Sequence, residues 1–250
     1  MTLANKWGLT SNKLKIIAIV SMLIDHIGAV ILYHTTSYAS GAQSLFPYAN
    51  ELYYGCRIIG RIAFPIFAFL IVEGSRHTKD SKKYLIRIFL FALISEVPFD
   101  LAIRSKVWDF GLQNVFWTLF FGLAAIICMD KLNVLKGISH EIKLIGDFIL
   151  SASAMGLAYY LKTDYGFQGV LVILIFYFLY DKNGMYIKKV TACLLAFLTL
   201  FGGLESFCFP AFIFIFFYNG KKGKKMKYFF YLFYPLHLIM LYFIWIYLLK

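Results

Sequence analysis

The chain has 250 residues, of which 61% are hydrophobic and only 15% are charged. Because soluble domains carry about a quarter charged residues, this composition excludes an ordinary soluble protein and indicates an integral membrane protein. The net charge of +12 lies in short basic segments between apolar runs. This distribution argues against nucleic-acid binding and is typical of loops on the cytoplasmic side of a membrane.

Apolar segments recur along the chain and predict an all-α, polytopic transmembrane bundle of about nine helices around a central polar cavity. A full span needs about 20 residues; the sixth and eighth segments are shorter, so eight spans is the main alternative. We expect residues 1–250 to form a single membrane domain. In chain order the segments are Leu14–Leu32, Ile58–Ser75, Tyr84–Phe99, Leu112–Met129, Leu144–Leu161, Gly169–Tyr180, Ile187–Gly203, Phe207–Tyr218 and Tyr228–Leu249.

The basic residues predict the orientation of these helices. With the N-terminus in the cytoplasm, the two richest clusters, Arg76–Arg87 and Lys221–Lys227, fall on the cytoplasmic side, and the C-terminus lies outside. Binding of phosphate or of anionic lipid is a weaker interpretation of the Lys221–Lys227 cluster. Richness in Lys, Ile, Phe and Tyr favours an AT-rich bacterial genome, so we predict a multi-pass protein of the bacterial cytoplasmic membrane.

The first segment places Asp25 and His26 at membrane depth, where an ionisable group needs a partner or a water-filled cavity. Adjacent helical residues point about 100° apart, so Asp25 is predicted to pair with Arg57 or Arg61 on the second segment. His26 and His237 lie about 18 Å and 14 Å from the cytoplasmic starts of their segments and can therefore share one level. Histidine is the side chain best suited to move protons near neutral pH.

Other polar residues lie near segment ends, where solvated or snorkelling charges are also ordinary. For most of them a structural role is therefore as plausible as a functional one. Glu73 is deeper and is predicted to join a buried polar network with Arg61. The set comprises Glu73 and His77, Glu96 and Asp100, Asn114 and Thr118, Asp164, and Tyr234 one turn from His237.

Five motifs in series resemble the TraX family, named for the membrane protein that N-acetylates F-type pilin. They cover nearly the whole chain in the right order, at Met22–Gly28, Arg57–Thr78, Lys83–Phe99, Asp164–Leu171 and Tyr231–Tyr242. The family is similar to a wider class of membrane acyltransferases that carry a basic residue, ten intervening residues and a histidine on the first helix.

This resemblance implies acetyl transfer from cytosolic acetyl-CoA to an amine or hydroxyl acceptor, such as an exported peptide, a pilin-like protein or an envelope glycan. His26 is then the general base, and Asp25 supports its imidazole. Arg61 stabilises negative charge or holds Asp25, and His237 completes the catalytic group. Lys15, which has the class spacing to His26, is expected to bind the donor together with Arg76, His77 and Arg87. The substrate cavity is expected to contain Arg57, Glu73, Asn114, Asp164 and Tyr234.

Two questions stay open in the sequence. Direct transfer and a route through an acetyl-histidine both fit these residues. A proton-coupled transporter or channel is the rival class, because membrane-embedded Asp, His and Arg residues also form ion pathways; however, no internal repeat of the kind common in transporters is evident. The four cysteines lack metal-ligand spacing, so no metal is expected. The expected partners are the lipid bilayer, acyl-CoA and the acceptor, without nucleic acid.

Overall fold

The computed structural model describes residues 8–33, 48–179, 186–223 and 227–249, and most of these are helical. Lys224 and Lys225 of the predicted basic cluster, and Tyr180 at the end of the sixth predicted segment, lie outside the described residues. The α-helices, in order, are α1 (Ser11–His26), α2 (Ala49–Gly60), α3 (Ala63–His77), α4 (Ser81–Arg104), α5 (Val115–Val134), α6 (His140–Tyr160), α7 (Gly166–Leu179), α8 (Tyr186–Leu200), α9 (Phe209–Phe216) and α10 (Lys227–Ile244).

Shorter helical turns extend three of these elements. A π-helix, Ile27–Leu32, continues α1, a 3-10 helix, Gly203–Cys208, leads into α9, and a second π-helix, Trp245–Leu249, continues α10. The change from α to π geometry comes directly after His26, and π-turns inside helices often occur at functional sites.

All nine predicted segments contain helix, which confirms the all-helical class. Five helices in the described residues are long and apolar enough to cross a membrane: Ser11–Leu32, Ala49–His77, Val115–Val134, His140–Tyr160 and Phe229–Tyr247. The prediction of nine spans is thus supported for five of them. The apolar helices Gly166–Leu179 and Gly203–Phe216 are shorter, and α4 carries five charged residues between its ends, namely Lys82, Lys83, Arg87, Glu96 and Asp100.

The described chain divides into two compact units. The first unit contains Met1–Phe67, Val97–Trp108 and Leu200–Lys250, and the second contains Ala68–Glu96 and Asp109–Thr199. In the first unit α1 packs against both α2 and α10. In the second unit α5, α6 and α7 pack against one another.

The second predicted span is broken at Arg61 and Ile62, between α2 and α3. The amides of these two residues donate to the carbonyls three residues earlier, at 3.2 and 3.3 Å, so the chain makes a tight turn instead of a helix. The hydroxyl of Ser21 on α1 donates to the carbonyl of Ile59 at 2.5 Å. Pro65 fits the first turn of α3, where a missing N–H is tolerated. The break places Arg61 at the side of α1.

Candidate functional site

His26 and His237 form a hydrogen-bonded pair inside the first unit. Nδ1 of His26 lies 2.6 Å from Nε2 of His237, and the rings are stacked with centroids 4.9 Å apart. Both residues are buried, with exposed fractions of 9% and 4%. The prediction that the two histidines share one level is confirmed.

A main-chain carbonyl sets the tautomers of both rings. Nδ1 of His237 lies 2.7 Å from the carbonyl oxygen of Phe233, and because a carbonyl can only accept, this nitrogen carries the hydrogen. In the neutral pair Nε2 of His237 then accepts, so Nδ1 of His26 donates to it. The network therefore leaves Nε2 of His26 as the ring nitrogen with a free lone pair, and no hydrogen bond to that atom occurs within the described residues.

Aromatic rings enclose the histidine pair. The ring of Tyr234 lies edge-on to both imidazoles, at centroid distances of 5.8 Å from His26 and 5.7 Å from His237. The ring of Phe233 stacks on His237 at 4.8 Å. Tyr234, predicted to line the substrate cavity, therefore contacts the pair directly.

Both carboxylate oxygens of Asp25 bind arginines on α2 and the turn that follows it. Oδ2 accepts from Nη1 of Arg57 at 2.7 Å, and Oδ1 accepts from Nη2 of Arg61 at 2.8 Å. The predicted pairing of Asp25 with an arginine is thus confirmed for both candidates. The further expectation, that Asp25 supports the imidazole of His26, gains no such contact; the ring is held by His237, because neighbouring helical side chains diverge.

Arg61 joins three parts of the first unit. Its Nη2 binds Asp25, its Nε donates to the carbonyl of Arg57 at 3.1 Å, and its Nη1 donates to Oε1 of Glu205 at 2.6 Å. The side chain is largely buried, with 8% of it exposed. Two guanidinium groups and two carboxylates therefore neutralise one another beside the histidine pair, as burial of charge requires.

Glu205 was not among the residues predicted from the sequence. The signal that could have indicated it is an acidic residue in an otherwise apolar run, Gly203–Phe216, following two glycines. Its 3-10 helix packs against α2, which brings the carboxylate to Arg61 although the two residues are far apart in the sequence.

Gly60 allows the close approach of Asp25 to α2. A Cβ placed on Gly60 would overlap three atoms of Asp25, namely Cβ, Cγ and Oδ1. The carboxylate of Asp25 therefore lies directly over the backbone of α2, where only glycine leaves room for it.

A second set of predicted residues lies in the second unit, around the start of α5. Asn114 is fully buried; its Oδ1 accepts from the amide of Phe116 at 3.0 Å, and its Nδ2 donates to the carbonyl of Ala92 at 2.8 Å and to the carboxylate of Glu96. The hydroxyl of Thr118 donates to the carbonyl of Asp164. This network joins α4, α5 and the loop before α7 and stabilises the second unit.

The predicted donor-binding residues Arg76, His77 and Arg87 also belong to the second unit, as does Glu73. Nδ1 of His77 donates to the carbonyl of Glu73 at 2.9 Å and lies 3.3 Å from its carboxylate. The guanidinium of Arg87 lies over the ring of Tyr84, 5.7 Å from its centroid. Each of these contacts joins residues three or four positions apart in the sequence. His77 and Arg87, which are expected to bind coenzyme A, therefore have local partners in this structure.

Arg76 lines a recess of about 430 Å³ together with Asp130, Asn133, Asp147, Tyr177 and Phe178. The guanidinium donates to the carbonyl of Tyr177 at 2.6 Å. The lining contains two carboxylates, Asp130 and Asp147, and one guanidinium, so its net negative charge disfavours binding of a phosphate group. The assignment of Arg76 to the donor stays a prediction.

Comparison with known proteins identifies the family of this chain. A model described as TraX protein matches residues 10–245. The chain belongs to the TraX family. A relative in Dichelobacter nodosus, called probable fimbrial assembly protein FimC, serogroup H1, is 31% identical over an alignment of 233 residues, with 84% of each chain covered. No solved structure matches. The residues matched to TraX include the histidine pair and the whole Asp25 network.

Proposed function

We propose that this TraX-family membrane protein is an acyltransferase that moves an acetyl group from cytosolic acetyl-CoA to an amine or hydroxyl acceptor at or across the membrane. The observation that carries the proposal is the buried histidine pair, in which one ring nitrogen, Nε2 of His26, keeps its lone pair. A positioned imidazole of this kind can remove the proton of an attacking nucleophile.

The chemistry follows from that lone pair. As the acceptor nitrogen or oxygen attacks the thioester carbonyl, its proton passes to Nε2 of His26. The bond from the carbonyl carbon to the acceptor forms, the bond to sulfur breaks, and the departing thiolate of coenzyme A takes the proton back from His26. His237 keeps the imidazole of His26 in one orientation throughout, with Nε2 available to the acceptor, because the tautomer of His237 is itself set by the Phe233 carbonyl.

The arginines are the electrostatic part of the proposal. Arg57 makes one hydrogen bond to Asp25, and 23% of its side chain is exposed. A fixed cation near the histidine pair stabilises negative charge that develops on the thioester oxygen. Arg61 is fully engaged, so we assign it to holding Asp25 and Arg57 in place.

The acceptor class is suggested by the relative's name, because FimC is called a probable fimbrial assembly protein. We propose an exported protein of the fimbrial or pilin type as the first acceptor to examine, followed by envelope glycans. The protein is proposed to lie in the bacterial cytoplasmic membrane with its N-terminus in the cytoplasm, so that the donor enters at the start of α1.

The test is mass spectrometry of exported proteins and envelope glycans from a strain lacking the gene, complemented with wild type or variants. We expect the deletion to remove one acetyl group from a single class of molecule. His26→Ala should fail to restore it, since loss of a catalytic proton-transfer group lowers rates by about 10²–10⁴-fold. His140→Ala, which changes an exposed histidine at the start of α6, is the matched control and should restore it.

Full complementation by His26→Ala would refute the assignment of the base. An unchanged acetyl profile in the deletion strain, together with ion-driven uptake by vesicles containing the protein, would support proton-coupled transport instead.

A further inference from the structure

Main-chain hydrogen bonds join the start of α1 to the loop that precedes α10. The amides of Ser11 and Asn12 donate to the carbonyls of Lys221 and Lys222, at 2.8 and 3.2 Å. Two more main-chain bonds, of 2.8 and 3.0 Å, tie Leu9 to the same loop. We call these five residues the basic clamp. The clamp fixes two lysines at the N-terminal end of the helix that carries His26.

The first turns of α1 and α10 also lie side by side, because Lys15 on α1 contacts the ring of Phe230 on α10, so the two helices that carry the histidine pair start at the same end of the first unit. They pack against each other and run from the clamp toward the pair. Helix N-termini carry partial positive charge, so both helices add to the positive potential there. Lys15 lies on α1 eleven residues before His26, about 16 Å along the helix axis.

Lys15 and Lys222 bring two like charges together at this end. The ammonium of Lys15 lies over the ring of Phe230, 5.3 Å from its centroid. The main chain of Lys222 is fixed at the same end of α1, because its carbonyl accepts from the amide of Asn12, three residues before Lys15. Neither lysine forms an ion pair within the described ranges. Holding two cations together by a backbone clamp is unfavourable, and a bound anion would remove the repulsion.

The anion must be bound by side chains rather than by the helix terminus. The first amides of α1 already donate to Lys221, Lys222 and Thr10. Lysine ammonium groups are point charges with three donors each and bind phosphates well in that form. The acidic recess around Arg76 in the second unit offers no comparable setting.

We propose that Lys222, held beside Lys15 by the basic clamp, forms a binding site for the phosphate groups of the nucleotide part of the acyl donor. This inference rests on the proposed function. Of the donor-binding residues that the resemblance implies, Lys15 is the one at this end of α1. The clamp adds Lys222, a residue that the charge pattern assigns to membrane topology. The distance from Lys15 to His26 leaves the extended pantetheine arm to reach the histidine pair while the phosphates stay at the clamp.

The test measures binding of coenzyme A, without any acceptor, to the full-length protein in nanodiscs of phosphatidylcholine. We expect Lys222→Gln to weaken binding about tenfold at low ionic strength, as for loss of one charge-assisted contact. Lys222→Glu should weaken binding further, because the new carboxylate would repel the phosphates and could form an ion pair with the ammonium of Lys15. Lys79→Gln, which removes the same charge from an exposed position in the loop after α3, is the matched control and should bind as wild type does.

A second arm separates the two sources of phosphate. Native mass spectrometry counts phosphatidylglycerol retained by wild type and by Lys222→Gln in mixed nanodiscs. If Lys222→Gln retains less phosphatidylglycerol than wild type but binds coenzyme A equally well, the donor assignment is overturned. The lysines would then bind a lipid headgroup. Equal coenzyme A binding by Lys222→Gln and Lys79→Gln would refute this inference and leave the proposed function standing. Failure of wild type to bind coenzyme A at all would reject both. Thermal unfolding of each variant confirms that it is folded.

Discussion

Replacing Gly60 with alanine is expected to displace the carboxylate of Asp25 from both arginines. The added Cβ would overlap the Cβ, Cγ and Oδ1 atoms of Asp25, and neither backbone can withdraw easily because the hydroxyl of Ser21 also ties α1 to α2 at 2.5 Å. The side chain of Asp25 must therefore rotate away from Arg57 and Arg61.

The cost follows from the contacts that are lost. Removing one partner from a buried ion pair typically costs about 3–5 kcal/mol. Because Arg57 remains partly exposed, with 23% of its side chain accessible, we expect the lower end of that range, about 3 kcal/mol. Helix propensity offsets little of this cost, because Gly60 is the last residue of α2 and the advantage of alanine, roughly 0.5–1 kcal/mol, applies in a helix interior.

Gly55→Ala is the matched control, because it makes the same substitution in the same helix at a position with no atom near the new Cβ. Reversible unfolding in mixed micelles should therefore show Gly60→Ala destabilised and Gly55→Ala unchanged or slightly stabilised. In an Asp25→Gly background, which removes all three overlapping atoms, Gly60→Ala should cost little. Equal unfolding free energies for the two glycine variants would refute the close packing of Asp25 on α2.

Two further predictions concern single hydrogen-bonding groups. His237→Gln should keep activity within about tenfold of wild type, because its amide oxygen can still accept from Nδ1 of His26; His237→Leu should lose about 10²–10⁴-fold in acetyl transfer, and equal losses would contradict the assigned tautomers. Asn114→Ala should destabilise the protein by about 2 kcal/mol, because the cap on the amide of Phe116 at 3.0 Å is lost and the Ala92 carbonyl and the Glu96 carboxylate each lose one of their donors. Asn133→Ala, at an exposed asparagine, should change the unfolding free energy by less than about 0.5 kcal/mol, and a comparable loss there would count against the Asn114 network.

The parts of the site that follow from regular geometry could be predicted from the sequence. The rise of a helix is fixed, so the depths of His26 and His237 follow from counting residues along each segment. A charge at membrane depth needs a counter-charge, and Arg57 and Arg61 lie four residues apart on one helical face. These two rules were enough to predict the Asp25 ion pairs.

The rest of the site depends on contacts that a sequence pattern does not carry. Glu205 reaches Arg61 only because a 3-10 turn packs on α2, and a single acidic residue in an apolar run has no periodicity to reveal it. The tautomers depend on one carbonyl, that of Phe233, whose position is set by the course of α10. The break after Gly60 was hidden because the apolar run continues across it without interruption.

The chain of hydrogen bonds through the two imidazoles also determines where positive charge can rest. When Nε2 of His26 gains a proton, the hydrogen on its other nitrogen points along a 2.6 Å bond at His237 and can cross to that ring. The charge is then carried one helix further away, while the carbonyl of Phe233 still accepts from the second imidazolium. The positive charge is thus distributed over two buried rings instead of one. His26 becomes neutral again and keeps a hydrogen on Nε2, which it can return to the leaving group.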